Sequence, residues 1–274
     1  MSTSISCRYA KFLVALSVAF LVFGMCAKAG EIPAEEAASL EAPMRFGLVR
    51  SGEPGCEPTC PEWISAEGRL DKEAPNRLKA TLKQVKGRDL PLLLSSRGGE
   101  LHAAMALGRL LRKNGTSVAV GRTTYISCRT EEANCGAPDA ANARYVGAAL
   151  VAGARCEREC LLVLAGGVTR LAGEEAKVAP IDLMDRLQGA GKQIRSYFKA
   201  MRVDPRILDP GKPAPLDDGP LKLAEMQAAG LVTLSFDARL LVSASVCRTS
   251  PAADNCRVFT TMDLPEPHPK PQTN

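Results

Sequence analysis

The chain has 274 residues, which is long enough for one sizeable core or for a core with appendages. Lys and Arg number 35 against 30 Asp and Glu, and the first 29 residues hold Arg8, Lys11, Lys28 and no acid. The rest therefore has 32 basic and 30 acidic residues, a formal charge of about +2. This balance does not support nucleic-acid binding, which needs a clustered basic face.

Residues 1–29 have the three-part pattern of a secretory signal. Arg8 and Lys11 provide a positive start, 12–26 form an apolar run, and Ala27-Lys-Ala29 offers a small-x-small cleavage site. An uncleaved membrane anchor is the alternative, although the apolar run is shorter than the ~20 residues that span a bilayer. Lipoprotein attachment at Cys26 is disfavoured by the bulky residue before it. We expect an exported protein, periplasmic or extracellular.

Ten cysteines become eight after cleavage at this site, and an even number in an exported chain predicts a disulfide framework. The eight form four local couples: Cys56 and Cys60, Cys128 and Cys135, Cys156 and Cys160, Cys247 and Cys256. Other pairings stay open, particularly among the middle four. A zinc site is the competing interpretation, but with only two histidines in the chain it would have to use cysteine alone. We expect no metal and no cofactor.

The first part of the chain is predicted to hold two strands and a helix. Residues 30–43 are interpreted as a linker, and strands are expected near 44–50 and 62–70 on either side of a tight Cys56–Cys60 loop. Pro75 can begin a helix because its missing N–H costs nothing at that position.

A strand–helix–strand unit follows. Residues 90–95 form a continuous apolar run, which is typical of a strand covered on both faces. Gly98-Gly99 comes next, then a helix over about 100–113, then a short apolar strand over 117–121. This order predicts a parallel pair of strands joined by a crossover helix.

The segment 122–155 is predicted to be a long irregular loop. Loops of this length are usually functional or are held by cross-links of their own. Further elements are predicted from short apolar runs and caps: a helix over 161–164, strands over 168–171 and 176–179, and helices over 182–201 and 221–229.

The C-terminal part, 237–263, is predicted to be an appendage to the main domain. Residues 239–247 and 256–261 alternate like a β-hairpin, which a Cys247–Cys256 bond would clip together. The Pro-rich segment 264–274 is expected to be disordered.

Four landmarks, in this order and spacing, resemble the superfamily of the Clp protease proteolytic subunit and crotonase, and more closely its exported, cysteine-bearing bacterial branch. They are Leu93-Leu-Ser-Ser-Arg-Gly-Gly99, Val118-Ala-Val-Gly-Arg122, Cys156-x3-Cys160-Leu-Leu-Val-Leu-Ala-Gly-Gly167, and the late motifs Tyr197…Val203-Asp-Pro205 and Glu225…Ala229-Gly-Leu-Val-Thr233. The resemblance covers residues 44–236. It implies an α/β fold of stacked ββα units.

The resemblance also implies positions for an active site. Enzymes of this kind carry a serine at a helix N-terminus, two backbone N–H groups that bind the oxyanion, and a histidine base. On this chain the nucleophile position is Arg158, where the branch has Cys-Ala-Ser-Ala-Cys. The oxyanion donors fall on Gly98, in the Gly98-Gly99 step, and on the N–H of Glu159. The base position falls at Ile181, so both reactive groups are missing.

No other residue is a convincing substitute for the missing serine nucleophile or histidine base. His102 shares a helical face with Arg109 and Lys113, which favours an exposed side chain. Ser95 and Ser96 flank the site but have no evident base, and nothing brings Lys177 to a serine. Glu157 and Glu159 could form a paired carboxylate site with Arg158, but a solvated, charge-balanced turn is the simpler interpretation. Phosphate binding is disfavoured because the Gly-Gly pairs lack the spacing of phosphate-binding loops.

Two functions follow from these residues. One is an exported, non-catalytic domain with a binding or structural role, in which Arg158 could hold an anion or a C-terminal carboxylate. The other is a serine-type hydrolase, most simply a peptidase, with a non-standard nucleophile. Acyl-CoA binding, from the crotonase side, fits an exported protein poorly. We expect a protein or peptide ligand, possible oligomers, no nucleic acid, and membrane contact only through an uncleaved signal segment.

Overall fold

A computed structural model describes residues 34–126, 144–181, 189–208 and 220–258. The described strands are β1 Arg45–Ser51, β2 Thr59–Glu67, β3 Leu92–Ser95, β4 Val118–Val120, β5 Arg122–Tyr125, β6 Arg144–Leu150, β7 Arg155–Glu157, β8 Arg170–Leu171, β9 Lys177–Ala179 and β10 Cys256–Val258.

The described helices are α1 Ala34–Glu41, α2 Ala74–Gln84, α3 Leu101–Asn114, α4 Cys160–Gly166, α5 Gly191–Ala200, α6 Leu223–Ala228 and α7 Arg239–Val242. Two short 3₁₀ segments span Pro205–Leu208 and Ala244–Arg248. Helix α3 shows how local sequence sets the ends: the Glu100 side chain accepts from the Ala103 N–H, and Gly115 closes the helix at a φ of 74°. Within the described ranges no helix has the length and apolar character needed to cross a bilayer.

Strands in the described part of the chain form one large sheet in the order β5-β6-β1-β2-β3-β4-β8. The run β2-β3-β4-β8 is parallel, and so is the β1–β6 pair. Strands β1 and β2 are antiparallel, as are β5 and β6. Strand β10 adds antiparallel to the beginning of β2, where Arg257 faces Cys60.

The large sheet is buried on both faces. On one face it packs against helices α2 to α5, with Ile64, Leu92 and Leu94 from its central strands in the core. The other face is covered by the chain around α7, where Ala238 and Val242 pack against Trp63. Burial on both sides explains why β3 is apolar at successive positions.

A second sheet, made of β7 and β9 in parallel, positions the site. It joins the end of β3 through backbone hydrogen bonds from the Ser96 N–H to the Arg155 carbonyl, 2.7 Å, and from the Glu157 N–H to the Ser96 carbonyl, 3.0 Å. The loop after β3 and the turn after β7 are therefore held side by side.

The α/β class and the parallel β3–α3–β4 unit are confirmed. Several predicted elements are present with shifted ends. The strand predicted over 62–70 is β2, which starts earlier, at Thr59, and the helix predicted over 221–229 is α6. Within the predicted helix 182–201, α5 begins only at Gly191, after a turn at Gly189 whose φ is 99°. Residues 182–188 lie outside the described part.

Three predictions need correction. The predicted linker contains α1, and the predicted irregular loop 122–155 contains β5, β6 and the start of β7. The predicted C-terminal hairpin does not form, because 239–242 is helical and 244–248 is a 3₁₀ segment, while β10 pairs with β2. The apolar run at 240–242 fits either element, and helical spacing places Ala238 and Val242 together against the sheet.

Three of the four expected cysteine pairs are at bonding distance: Cys56–Cys60, Cys156–Cys160 and Cys247–Cys256. The predictions for Cys128 and Cys135, for the signal segment 1–29 and for the tail 264–274 concern residues outside the described ranges.

Candidate functional site

Arg158 occupies a sharp turn between strand β7 and helix α4. Its φ is 56°, a left-handed conformation that costs a non-glycine residue about 1–2 kcal/mol. The Arg158 N–H donates to the Ala179 carbonyl of β9 at 3.1 Å, and the Cys156–Cys160 disulfide closes the turn. A strand–turn–helix elbow such as this is also the shape that presents the nucleophile in α/β-hydrolases.

The side chain of Arg158 turns back onto its own protein. Its Nε donates to the Arg97 carbonyl at 2.7 Å, and Nη2 donates to the same oxygen. Arg97 directly precedes the Gly98-Gly99 step. The guanidinium at the nucleophile position thus ties the elbow to the loop after β3.

Glu159 makes the matching contact with the same loop. Its Oε2 accepts a hydrogen bond from the Gly99 N–H at 2.9 Å, and the residue is buried. A Cβ added at Gly98 would lie 2.5 Å from this oxygen, at a φ of 92° that disfavours other residues in any case. The carboxylate therefore occupies the Gly99 N–H, directly beside the Gly98 N–H that the resemblance assigns to the oxyanion.

The donor that the resemblance does predict in this step, the Gly98 N–H, is also engaged. The Gly98 N–H donates to Ser96 Oγ at 3.2 Å, and Ser96 Oγ donates to the Gly68 carbonyl at 2.7 Å. Ser95 Oγ accepts from the Arg155 N–H at 3.3 Å. Both serines are buried and hold loops in place, which leaves them poorly placed to attack a substrate.

Glu157 lies at the centre of a charge cluster beside the elbow. Its carboxylate is 3.1 Å from Arg155 Nη1, 3.2 Å from Lys177 Nζ and 3.5 Å from Arg97 Nε. Burial raises the pKa of this carboxyl, but the hydrogen bond from Arg155 and the charge of Lys177 outweigh it, so the pKa lies below the ordinary 4.5. Lys177 is thus paired with an acid rather than with a serine.

The predicted base position carries no base. Ile181 is buried in the helix-side core together with Val178 of β9. His102 lies on α3 with a side chain that is 67% exposed, and its nearest acidic partner is Glu100 at 3.9 Å. The expectation of an exposed histidine is confirmed.

Strand β9 has an edge to which an extended peptide could pair as an additional strand, but the chain itself bonds to this edge. The Val178 carbonyl on β9 accepts from the Leu221 N–H at 2.7 Å. With Arg97, Gly98 and Gly99 also engaged, backbone groups on both sides of the elbow are bonded internally.

The structure adds Arg97 and Arg155 to the residues expected from the sequence. Both contact Glu157, and Arg155 and Glu157 share one face of β7 because they are two residues apart. That spacing is visible in the sequence, whereas the approach of Arg97 depends on the pairing of two distant segments.

Within the described ranges, no group of three or more His, Cys, Asp or Glu side chains has the geometry to hold a metal ion. A cavity of about 330 Å³ lies between the end of α3 and the C-terminal segment, lined by residues that include Asp89, Thr116 and Asn255. None of the elbow residues lines it.

No family model and no curated protein matches the chain. Among solved structures, a mutant of the membrane-bound stomatin-specific protease 1510-N is 11% identical, with a TM-score of 0.43 over 67% of this chain and 83% of that chain. ClpP1 from Listeria monocytogenes is 10% identical, with a TM-score of 0.36 over 63% of this chain and 89% of its own. A point mutant of that ClpP1 gives a TM-score of 0.34 at 11% identity. At these values, the likeness by itself carries no inference about function.

Proposed function

We propose that the chain is an exported, non-catalytic member of the Clp-like and crotonase-like superfamily, with a binding or structural role. The observation that carries this proposal is the pair of contacts made by the elbow. Arg158 stands at the nucleophile position and bonds the Arg97 carbonyl, while Glu159 occupies the Gly99 N–H. An arginine cannot attack a carbonyl, and a carboxylate next to the predicted oxyanion donor repels a developing oxyanion.

The surroundings support the same proposal. Ser95 and Ser96 are used in structural hydrogen bonds, and Ile181 offers no group that could take a proton. For export, the support is the three-part N-terminal pattern and the three disulfides of the described residues. The rival serine-type hydrolase has the shape of the elbow in its favour, but the serines beside the elbow, Ser95 and Ser96, bond backbone groups and have no base as a partner.

A serine-reactive fluorophosphonate probe on the purified protein tests the proposal. We expect no covalent labelling of the wild-type protein. Labelling that persists in Arg158→Ala but disappears in Ser95→Ala or Ser96→Ala would identify an active serine and overturn the proposal. Denatured protein serves as the control for non-specific reaction.

A variant with a restored nucleophile and base gives a second test of the proposal. Three changes together, Arg158→Ser, Glu159→Ala and Ile181→His, supply a nucleophile, clear the Gly99 N–H and add a base. We expect slow labelling of this triple variant at the new serine. We expect none in Arg158→Ser alone, because Glu159 still fills the donor and no base is present. Equal labelling of the single and triple variants would show that Glu159 does not block the site.

A further inference from the structure

One layer of the molecule is uniformly basic. We call helices α2, α3 and α5 the helical layer. These three helices contain no Asp or Glu, and they carry nine basic residues: Arg77, Lys79, Lys83, Arg109, Arg112, Lys113, Lys192, Arg195 and Lys199. In a chain with 35 basic and 30 acidic residues, this separation places positive charge on one face.

The three helices form one continuous surface on the same side of the sheet. Helix α3 is central: it packs against α2 on one side, and its Arg112 donates to the Met201 carbonyl at the end of α5 at 3.1 Å. The Arg109 guanidinium lies over the ring of Tyr197 on α5, 5.4 Å from its centroid. The positive charges of α3 and α5 are therefore neighbours.

Most of these charges are free to meet a partner. The exposed cations of the layer and its borders that make no ion pair with another described residue are Lys79, Lys83, Lys86, Arg109, Lys113, Lys192, Lys199 and Arg202. Three acids near the layer are engaged: Asp71 pairs with Arg77, Glu62 with Arg88, and Asp204 with Arg206, although Asp204 also feels the charge of Lys199. Three others border it without a Lys or Arg partner among the described residues: Glu73 and Glu100, which occupy the N-cap positions of α2 and α3, and exposed Asp89.

The residues between these charges distinguish among anionic partners. Binding of single-stranded nucleic acid uses exposed aromatic rings for stacking, and stable protein interfaces use aromatic or apolar anchors. Here Tyr197 and Phe198 are buried, and the large apolar side chains that are exposed in the described residues all lie outside the helical layer. An anionic bilayer needs neither, because each Lys or Arg near its surface contributes through charge alone.

We propose that the helical layer docks this protein on the surface of a bilayer containing anionic lipids. The docking is electrostatic, through long and mostly lysine side chains, without insertion of apolar residues. This goes beyond the proposed function, which does not depend on it, and beyond the sequence-based expectation that only the N-terminal segment meets a membrane. The clustering was hidden in the sequence because the helices are far apart in the chain.

Vesicle flotation of the full chain tests this proposal. Neutral phosphatidylcholine vesicles are compared with vesicles that contain about one third phosphatidylglycerol, at low and at high salt. We expect binding that depends on the anionic lipid and falls steeply with salt, as the Debye length drops from ~10 Å at 0.1 M to ~3 Å at 1 M. The neutral vesicles report any binding by the apolar run 12–26.

Two charge-matched variants locate the surface. Lys79→Gln, Lys83→Gln and Lys113→Gln together should weaken binding to anionic vesicles on the order of a hundredfold. The control combines Arg69→Gln, Arg239→Gln and Arg248→Gln, which removes three exposed charges outside the layer and should weaken binding much less. Circular dichroism checks that both triple variants are folded.

Three outcomes would overturn the proposal. The first is equal loss of binding in the two triple variants, which would mean that net charge rather than this surface is responsible. The second is absence of any binding to anionic vesicles at low salt. The third is binding of single-stranded DNA with the same salt dependence when anionic vesicles do not bind, which would identify a nucleic acid as the partner.

Discussion

Arg158 combines a left-handed backbone with a guanidinium that bonds to its own chain. The conformation is costly for arginine, and it is held by neighbours on both sides: the bond from its N–H to the Ala179 carbonyl, the adjacent disulfide and the contact with Arg97. The turn has the shape of a strand–turn–helix elbow, with an arginine at its apex. At this scale the elbow residues act as structural ties between two loops.

Glu159 should contribute measurably to stability through the Gly99 N–H. We expect Glu159→Ala to lower the free energy of unfolding by about 1–2 kcal/mol, because a partly buried donor loses a charged acceptor. Glu159→Gln keeps an acceptor oxygen and should lose less. Urea unfolding measures both, with exposed Glu174→Ala as control, expected within about 0.5 kcal/mol of wild type. A Glu159→Ala variant as stable as the control would contradict the role of this bond.

Glu157 should make stability depend on acid pH. Its pKa is lowered in the folded protein, so its stabilising effect is present at neutral pH and is lost as the pH falls through the folded pKa, below 4.5. Glu157→Gln removes this effect. We therefore expect the stability difference between wild type and Glu157→Gln to be largest near neutrality and to shrink in acid. A difference that stays constant between pH 7 and pH 3 would mean that the carboxylate charge is not the cause.

At the scale of elements, helices α3 and α4 approach each other at glycines. A Cβ on Gly166 would lie 2.3 Å from the Gly108 Cα, so neither position has room for a side chain. Tyr197 packs beside the same helix crossing, and its hydroxyl donates to the Leu162 carbonyl at 2.8 Å. Burial raises the pKa of this hydroxyl. The crossing sets the position of α4 and, through it, of the elbow.

Gly108→Ala tests how tightly this crossing is packed. The new methyl would meet the Tyr197 hydroxyl at 1.8 Å and the Leu162 carbonyl at 2.6 Å, so we expect a loss of about 1–3 kcal/mol or more in the free energy of unfolding. Ala is the better helix former, so propensity alone predicts the opposite sign.

Tyr197→Phe provides the matched background for this substitution. Removing the hydroxyl takes away the closest clash, so the cost of Gly108→Ala should be smaller in Tyr197→Phe than in wild type, although the Leu162 carbonyl stays close. Equal costs in the two backgrounds would show that the helices shift apart instead of clashing at this ring.

The elements differ in how far the sequence could predict them. Strand β3 and helix α3 were predictable because an apolar run and a capped, amphipathic pattern are local signals. The predicted partner of strand β10, residues 239–247, is wrong, because the actual pairing with β2 depends on a contact between residues far apart in the chain. Strand β5 was missed because it lies at the sheet edge with a mixed burial pattern. Strand β6 lies between β5 and β1, and its pairing with β1 joins residues far apart in the chain.

At the scale of the whole molecule, the disulfides and the N-terminal segment together predict that the protein is exported. We expect the protein recovered from an exporting host to begin near residue 30 and to contain no free thiol, with bonds Cys56–Cys60, Cys156–Cys160 and Cys247–Cys256. Intact mass and a peptide map under non-reducing conditions measure both. Eight free thiols would count against export and against the cysteine framework, whereas an intact N-terminus would favour the uncleaved anchor.

The sequence by itself determined the α/β class, the cysteine couples, and the absence of a serine at Arg158 and of a histidine at Ile181, because these are properties of single residues or of short local patterns. Only the tertiary structure decided what Arg158 and Glu159 do, since their partners at 97 and 99 lie about sixty positions earlier in the chain. It also decided that three separated helices combine into one basic layer. Pairing and packing between distant segments are set by burial of shared surface, and local periodicity does not carry that information.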